Sequence, residues 1–232
     1  MIIPTSVCSV LHFRQLRLVN CFAFLLIVIL GSGCKAQSFN DTAHVVTGAE
    51  QTTEYLPALK GKNVAIVANP TSQINGTHLV DSLISLKVKV KVVFAPEHGF
   101  RGEAEAGEHV EDGVDKKSGV NVISLYGSHK KPTNDDLKNI DVVVFDIQDV
   151  GVRFYTYIST LQYVMEACAD NKVPLIIFDR PNPHGYYVDG PVLDTAFRSF
   201  IGMQPIPVVH GMTIGEYALM LSGEKWLNTK GI

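Results

Sequence analysis

DVVVFDIQDVGVRFYTYIST, Asp141 to Thr160, runs from an apolar stretch straight into a crowded polar one. Val142 to Phe145 is a continuous run of β-branched and aromatic residues, the pattern of a strand buried on both faces and therefore of a parallel sheet. Chemistry begins where that run stops. Asp146, Gln148, Asp149, Arg153, Tyr155 and Tyr157 follow within a few turns of chain. A loop leaving the carboxyl end of a buried strand presents such groups to a ligand crevice.

Further apolar runs end in the same way. Val64 to Ala68 stops at Asn69, Pro70, Thr71 and Ser72, a turn cluster of short polar side chains. Val90 to Ala95 leads into Pro96, Glu97, His98, Gly99, Phe100, Arg101 and Gly102, a loop by its glycines and proline. Asn121 to Leu125 ends at Tyr126 and Gly127, and Pro174 to Phe178 ends at Asp179, Arg180, Pro181, Asn182 and Pro183, where two prolines forbid a helix. Ile206 to Val209 leads similarly into His210.

Between the runs lie helical patterns. Thr77 to Leu86 carries Leu79, Leu83 and Leu86 on one stripe, and Ile158 to Ala169 carries Leu161, Val164, Met165 and Cys168. Thr133, with Asp135 and Asp136 behind it, has the form of a cap on a short helix. Thr213 and Glu216 have the spacing of a capping box in front of Tyr217 to Leu221. Five buried strands separated mostly by helices predict repeated βα units with right-handed crossovers, an α/β three-layer sandwich around a mostly parallel sheet. No GxGxxG follows the first strand, so nothing marks a dinucleotide site, and no cofactor is expected.

The chain of 232 residues is 46% hydrophobic and 19% charged, which excludes a disordered chain. Arg14 and Arg17 precede the apolar run Leu18 to Leu30, short for a membrane span and suited to a secretory signal. Gly31, Ser32 and Gly33 before Cys34 resemble a bacterial lipobox, with Gly31 where that pattern carries Leu. Residues 1–34 are accordingly expected to be a signal peptide with Cys34 lipidated, which would anchor an exported protein to the membrane in the periplasm or cell envelope. An ordinary signal peptide and an uncleaved anchor stay open. Residues 35–55 read as a flexible tether and 56–232 as the folded domain. Cys168 would be the one cysteine left beyond Cys34, so no intrachain disulfide is expected. Loss of Arg14 and Arg17 takes the formal charge from −3 to −5, and no basic stripe marks a nucleic-acid surface.

Among the polar groups, Glu97 is the first choice for a catalytic acid or base, beside His98 and near Arg101 at a strand end. Glu216 has a sufficient structural role in the capping box, and ligand contact is its alternative. Asp146 and Asp149 could divide between holding backbone amides and facing the crevice. On extended chain Arg153, Tyr155 and Tyr157 would share one face, either a packed aromatic ledge or a sugar-stacking platform with a guanidinium. Asp179 and Arg180 could pair with each other, and Asn182 could cap its own turn. His98, His184 and His210 lie in these loops without the spacing of a zinc motif, so no metal is expected; a solvated acidic loop is the reading of Glu103 to Asp115. There is no Gly-x-Ser-x-Gly elbow, and Cys168 falls inside a helical pattern, which argues against serine or cysteine nucleophiles.

Taken together, APEHGFRG (Ala95 to Gly102), SLYG (Ser124 to Gly127), FDIQDVGVRFYTYISTL (Phe145 to Leu161), FDRPNP (Phe178 to Pro183) and HGMTIGE (His210 to Glu216) resemble the NamZ-type exo-β-N-acetylmuramidases. The resemblance implies a Rossmann-like N-terminal domain and a cleft shared with a smaller C-terminal domain, which is expected to be missing from a chain ending at Ile232. It implies a glycosidase of peptidoglycan turnover that releases terminal non-reducing N-acetylmuramic acid from muropeptides and related fragments. The family's motif glutamate falls on Glu97, expected as general acid, with Glu216 and then Asp149 as second carboxylate. Asn69, His98, Tyr126, Asp146, Gln148, Tyr155, Tyr157, Asp179, Asn182 and His210 are expected along the substrate, with Arg153, Arg180 and Arg101 for the lactyl carboxylate. The alternative is a surface lipoprotein that binds muropeptides without cleaving them.

Overall fold

The computed structural model describes residues 45–102 and 112–229. The signal segment with Cys34, the tether up to residue 44 and residues 103–111 of the acidic loop lie outside the described residues. Folded chain begins earlier than Leu56. Gly48–Glu50 forms a 3-10 turn and Thr52–Leu59 the helix α1. Gly48 N–H donates to Asp179 O at 2.8 Å, and a side chain at Gly48 would stand 2.6 Å from the Asp179 nitrogen, so only glycine lets this segment dock. Tyr55 then packs its ring 4.2 Å from Phe178 and donates its hydroxyl to Ala49 O at 2.8 Å.

The strands follow in chain order as β1 (Asn63–Ala68), β2 (Gln73–Ile74), β3 (Thr77–His78), β4 (Lys89–Ala95), β5 (Gly113–Val114), β6 (Asn121–Ser124), β7 (Val142–Asp146) and β8 (Leu175–Ile177). The remaining helices are α2 (Leu79–Ser85), α3 (Tyr157–Asn171) and α4 (Ile214–Gly223). The main sheet has the order β5-β6-β4-β1-β7-β8. Its five long strands are mutually parallel, and β5 adds an antiparallel edge. These five are the apolar runs read from the sequence, and the architecture is the expected mostly parallel α/β sandwich.

Alternation along the strands builds the two cores. Val64, Ile66 and Ala68 face α1 and α2, packing with Tyr55, Leu59, Leu79, Val80 and Leu83. Ala65 and Val67 face the other way, beside Phe94 of β4 and Phe145 of β7, where Leu161 and Val164 from α3 and Tyr217 and Leu221 from α4 close over them. Each large side chain so buried contributes about 1.5–3 kcal/mol, in keeping with the unbroken apolar runs Val64 to Ala68 in β1 and Val142 to Phe145 in β7.

Three local expectations are corrected. Thr77 and His78 are not helical: they pair with Gln73 and Ile74 as a small antiparallel hairpin, and α2 starts at Leu79. Thr133 and Asp136 do exchange hydrogen bonds, Thr133 N–H to Oδ2 at 2.7 Å and Asp136 N–H to Thr133 Oγ1 at 3.2 Å, but the chain behind them makes only turns. Ile206 to Val209 adds no strand to the sheet; Val209 instead makes isolated antiparallel bridges to Val152 and Asp189.

Candidate active site

In the order β6-β4-β1-β7-β8 the chain moves outward from β1 through β4 to β6 and then returns across β1 to β7. The crevice at the carboxyl ends of β1 and β7 is therefore a topological switch point, where open α/β sheets bind ligands. Two short side chains tie its walls together. Thr71 Oγ1 accepts from Gln148 N–H at 3.0 Å, and the Ser72 hydroxyl donates to Asp146 O.

Glu97 enters the crevice from the end of β4. Gly99 N–H donates to Pro96 O at 3.0 Å, which makes Glu97 and His98 the two central residues of a tight turn. His98 has φ +70° and Gly99 φ +72°. A left-handed histidine costs about 1–2 kcal/mol, so the turn must be held from outside. His78, half-buried behind it, supplies the hold: Nε2–H reaches Phe100 O at 2.9 Å and Asn69 O at 3.2 Å, while Nδ1 accepts from Val80 N–H at 3.3 Å. His78 was not among the residues singled out by sequence, because it sits inside what reads as a helical stripe.

The charges around Glu97 define the rest of the site. The Glu97 carboxylate beside Tyr126 raises that phenol above its ordinary value. The Tyr157 phenol, at the start of α3, is raised by burial and by the charges of Glu97 and Asp149, against a hydrogen bond from the Asn69 side chain that lowers it. Tyr157 thus lies within electrostatic reach of both carboxylates. Asp149 is 4% exposed; its Oδ2 accepts from Gly151 N–H at 2.7 Å and stands 3.4 Å from His210 Nε2. The structure brings together Asn69, Glu97, Tyr126, Asp149, Tyr157 and His210.

Other expected site residues are engaged by the protein itself. Arg101 donates from Nε and Nη2 to Asp115 at 2.8 and 2.7 Å and reaches Asp81 at 2.8 Å. Arg180 closes on the buried Asp146, and Arg153 Nη1 donates to the carbonyls of Pro191 and Ile206. None of the three arginines is left as an unpaired partner for a substrate carboxylate. Glu216 is exposed and spends Oε2 on Thr213 N–H at 2.8 Å, the reciprocal of Glu216 N–H on Thr213 Oγ1 at 3.2 Å.

Asp179 does not pair with the Arg180 guanidinium, which goes to Asp146; its oxygens accept from Arg180 N–H at 3.0 Å and from Gly215 N–H and the Thr213 hydroxyl, both at 2.8 Å, so it fastens α4 to the end of β8. Asn182 links Met212 O to His184 N–H, and the Gln148 amide bridges Asp149 O and Pro181 O. Arg153, Tyr155 and Tyr157 share no face, since the chain turns there: Tyr155 stays exposed beside Phe154, and Tyr157 begins a helix. Cys168 is buried in α3, where burial pushes its thiol up to about 12, far from nucleophilic use. Among the described residues no group of three or more His, Cys, Asp or Glu is placed to hold a metal ion.

Comparison with known proteins bears on this site. The chain is 45% identical over 205 residues to the peptidoglycan beta-N-acetylmuramidase NamZ of Bacillus subtilis (strain 168), a match covering 84% of this chain and 49% of that protein. Two crystal structures of DUF1343 family proteins from Bacteroides fragilis NCTC 9343 superpose with TM-scores of 0.71 and 0.72, at 46% and 42% identity. Each match covers 79% of this chain, and 48% and 47% of those chains respectively. The chain thus spans about half the length of the relatives it matches. Residues 64–231 fit the family described as Exo-beta-N-acetylmuramidase NamZ, N-terminal, and with that span and that identity the chain belongs to the NamZ family.

Proposed function

We propose that this chain carries the acid-base half of an exo-acting β-N-acetylmuramidase, a glycosidase that frees terminal N-acetylmuramic acid from peptidoglycan fragments. The observation that carries the proposal is the turn at Glu97. A carboxyl is fixed at the corner of a strained, externally held loop, over the switch-point crevice, with Tyr126 and Tyr157 beside it and Asp149 buried close by. The name of the Bacillus subtilis relative supports the substrate class.

In this reading Glu97, as the carboxylic acid, gives its proton to the glycosidic oxygen as the bond to the anomeric carbon breaks. The second carboxylate then either attacks the anomeric carbon or takes a proton from the attacking water, and Asp149 is better placed for it than Glu216. Glu216 is exposed and committed to its cap; Asp149 is buried and shares Tyr157 as a neighbour with Glu97. Tyr157 and Asn69 would line the sugar's path, and Tyr155 with Phe154 would form an apolar rim.

Release of free muramic acid from a chromogenic N-acetylmuramide by this chain and by its Glu97→Gln variant tests the proposal. Expected is release by the parent and at least a hundredfold loss in the variant, with an unchanged melting temperature. Equal release by both would remove Glu97 from the chemistry. Saturable binding of the sugar without release by the parent would leave a muropeptide-binding protein in place of an enzyme.

A further inference from the structure

Residues 208–210 run antiparallel to residues 151–153. Arg153 N–H donates to Val208 O at 2.8 Å, and His210 N–H to Gly151 O at 3.2 Å. This pairing carries the His210 ring to Asp149. The imidazole is fully buried, at 0% side-chain exposure, with Nε2 facing Oδ2 across 3.4 Å.

The other ring nitrogen fixes where the proton is. Met212 N–H donates to His210 Nδ1 at 3.3 Å. Nδ1 must then carry a lone pair, and the hydrogen of the neutral ring sits on Nε2, toward the carboxylate. Oδ2 therefore has two donors aimed at it, Gly151 N–H and the imidazole. Oδ1 is different: it is buried and has no hydrogen-bond partner among the described residues, and Nε2 itself makes no well-formed hydrogen bond to them. An unmatched buried acceptor costs about 1–3 kcal/mol. A folded protein keeps such a group where something outside the chain supplies the partner.

We propose that His210 is the positioning residue of Asp149, holding Oδ2 against the protein so that Oδ1 alone is offered to an O–H donor at the reacting centre, a sugar hydroxyl or a water. The inference rests on the reading of Asp149 as the second carboxylate. His210 itself does not touch the ligand. The 3.4 Å between Nε2 and Oδ2 is a separation from which catalytic contacts tighten when substrate binds. Tyr217, 5.9 Å from the imidazole by ring centroids, packs beside it and limits its movement.

Nitrogen-15 NMR of the His210 ring in the full chain tests the pairing without any turnover. Expected is a single neutral Nε2–H tautomer whose proton exchanges at least tenfold faster in Asp149→Ala. A proton on Nδ1, or an Nε2–H signal that Asp149→Ala leaves unmoved, overturns the proposal. With the chromogenic muramide, His210→Phe is expected to lower kcat at least tenfold with KM within threefold. His210→Gln, whose amide N–H can reach the same oxygen, is expected to recover most of that loss. A loss confined to KM, or a folded Gln variant no better than Phe, overturns it as well. If the chain releases nothing, the glycosidase reading fails and the NMR result alone decides the pairing.

Discussion

Arg180 grips Asp146 through two parallel hydrogen bonds, Nε to Oδ1 at 2.6 Å and Nη2 to Oδ2 at 3.0 Å, at the end of the most deeply buried strand. Nη2 also reaches Gln73 O at 3.3 Å, so one guanidinium joins β7, the loop after β8 and the hairpin after β1. Burial pushes the Asp146 carboxyl above its ordinary range, and the two bonds from Arg180 pull it back. The pair braces the crevice floor from below and keeps Arg180 away from any ligand.

Removing one partner leaves the other as an uncompensated buried group. Asp146→Asn and Arg180→Met are each expected to cost about 3–5 kcal/mol in urea unfolding. The double variant Asp146→Leu with Arg180→Met should come back to within about 2 kcal/mol of the parent, because a buried ion pair is worth little over well-packed apolar residues. A double variant as unstable as the singles would mean that the link to Gln73 is the main contribution.

Glu216 and Asp149 separate a cap from a catalytic group. Glu216→Ala breaks one half of the capping box at α4 and is expected to cost about 1 kcal/mol, a drop of about 2–4 °C in Tm, with muramide release within threefold of the parent. Asp149→Asn is expected to reverse the pattern, with release down at least a hundredfold. Glu216→Ala with a near-normal Tm and no release would make Glu216 the second carboxylate after all.

The fold was legible because its central strands are buried on both faces, so Val142 to Phe145 and Val64 to Ala68 carry their assignment in local composition. The capping box at Thr213 and Glu216 was legible for the same reason: both partners lie within one turn. What escaped was set by contacts distant in sequence. Arg101 finds Asp81 and Asp115 only after β4 has crossed beside β1, and Arg180 finds Asp146 across a whole βα unit. No local pattern tells a ligand-seeking arginine from a braced one. His78 was hidden by the apolar stripe behind it, since the hairpin that frees it is only two residues per strand. Asp149 and His210 were both visible as strand-end residues, but their meeting depends on the bridge between Val152 and Val209, which replaces the strand that Ile206 to Val209 suggested.

Acid should loosen the Glu97 turn in two steps, because two kinds of group brace it. Burial, more than the nearby Arg101 charge, holds His78 below its ordinary value. A base with a lowered folded pKa binds its proton more readily unfolded, so its stability is fully present above about pH 6.5 and falls as pH drops below that. Protonation would also put a hydrogen on Nδ1, against Val80 N–H. The hydrogen bonds from Arg101 hold Asp115 and Asp81 below the usual carboxylate range, with Lys117 adding to the effect on Asp81. Their contribution is present above about pH 4 and is lost as pH falls through the depressed folded values. Urea unfolding from pH 7.5 to 3 should show a first decline that flattens in His78→Gln and a second that flattens in Arg101→Met. At neutral pH Arg101→Met should already cost about 2 kcal/mol, the scale of a hydrogen bond to a charged group. A parent whose stability stays level from pH 7.5 to 5 would show that His78 does not couple the turn to its proton, and the lowered histidine would then have no part in holding Glu97.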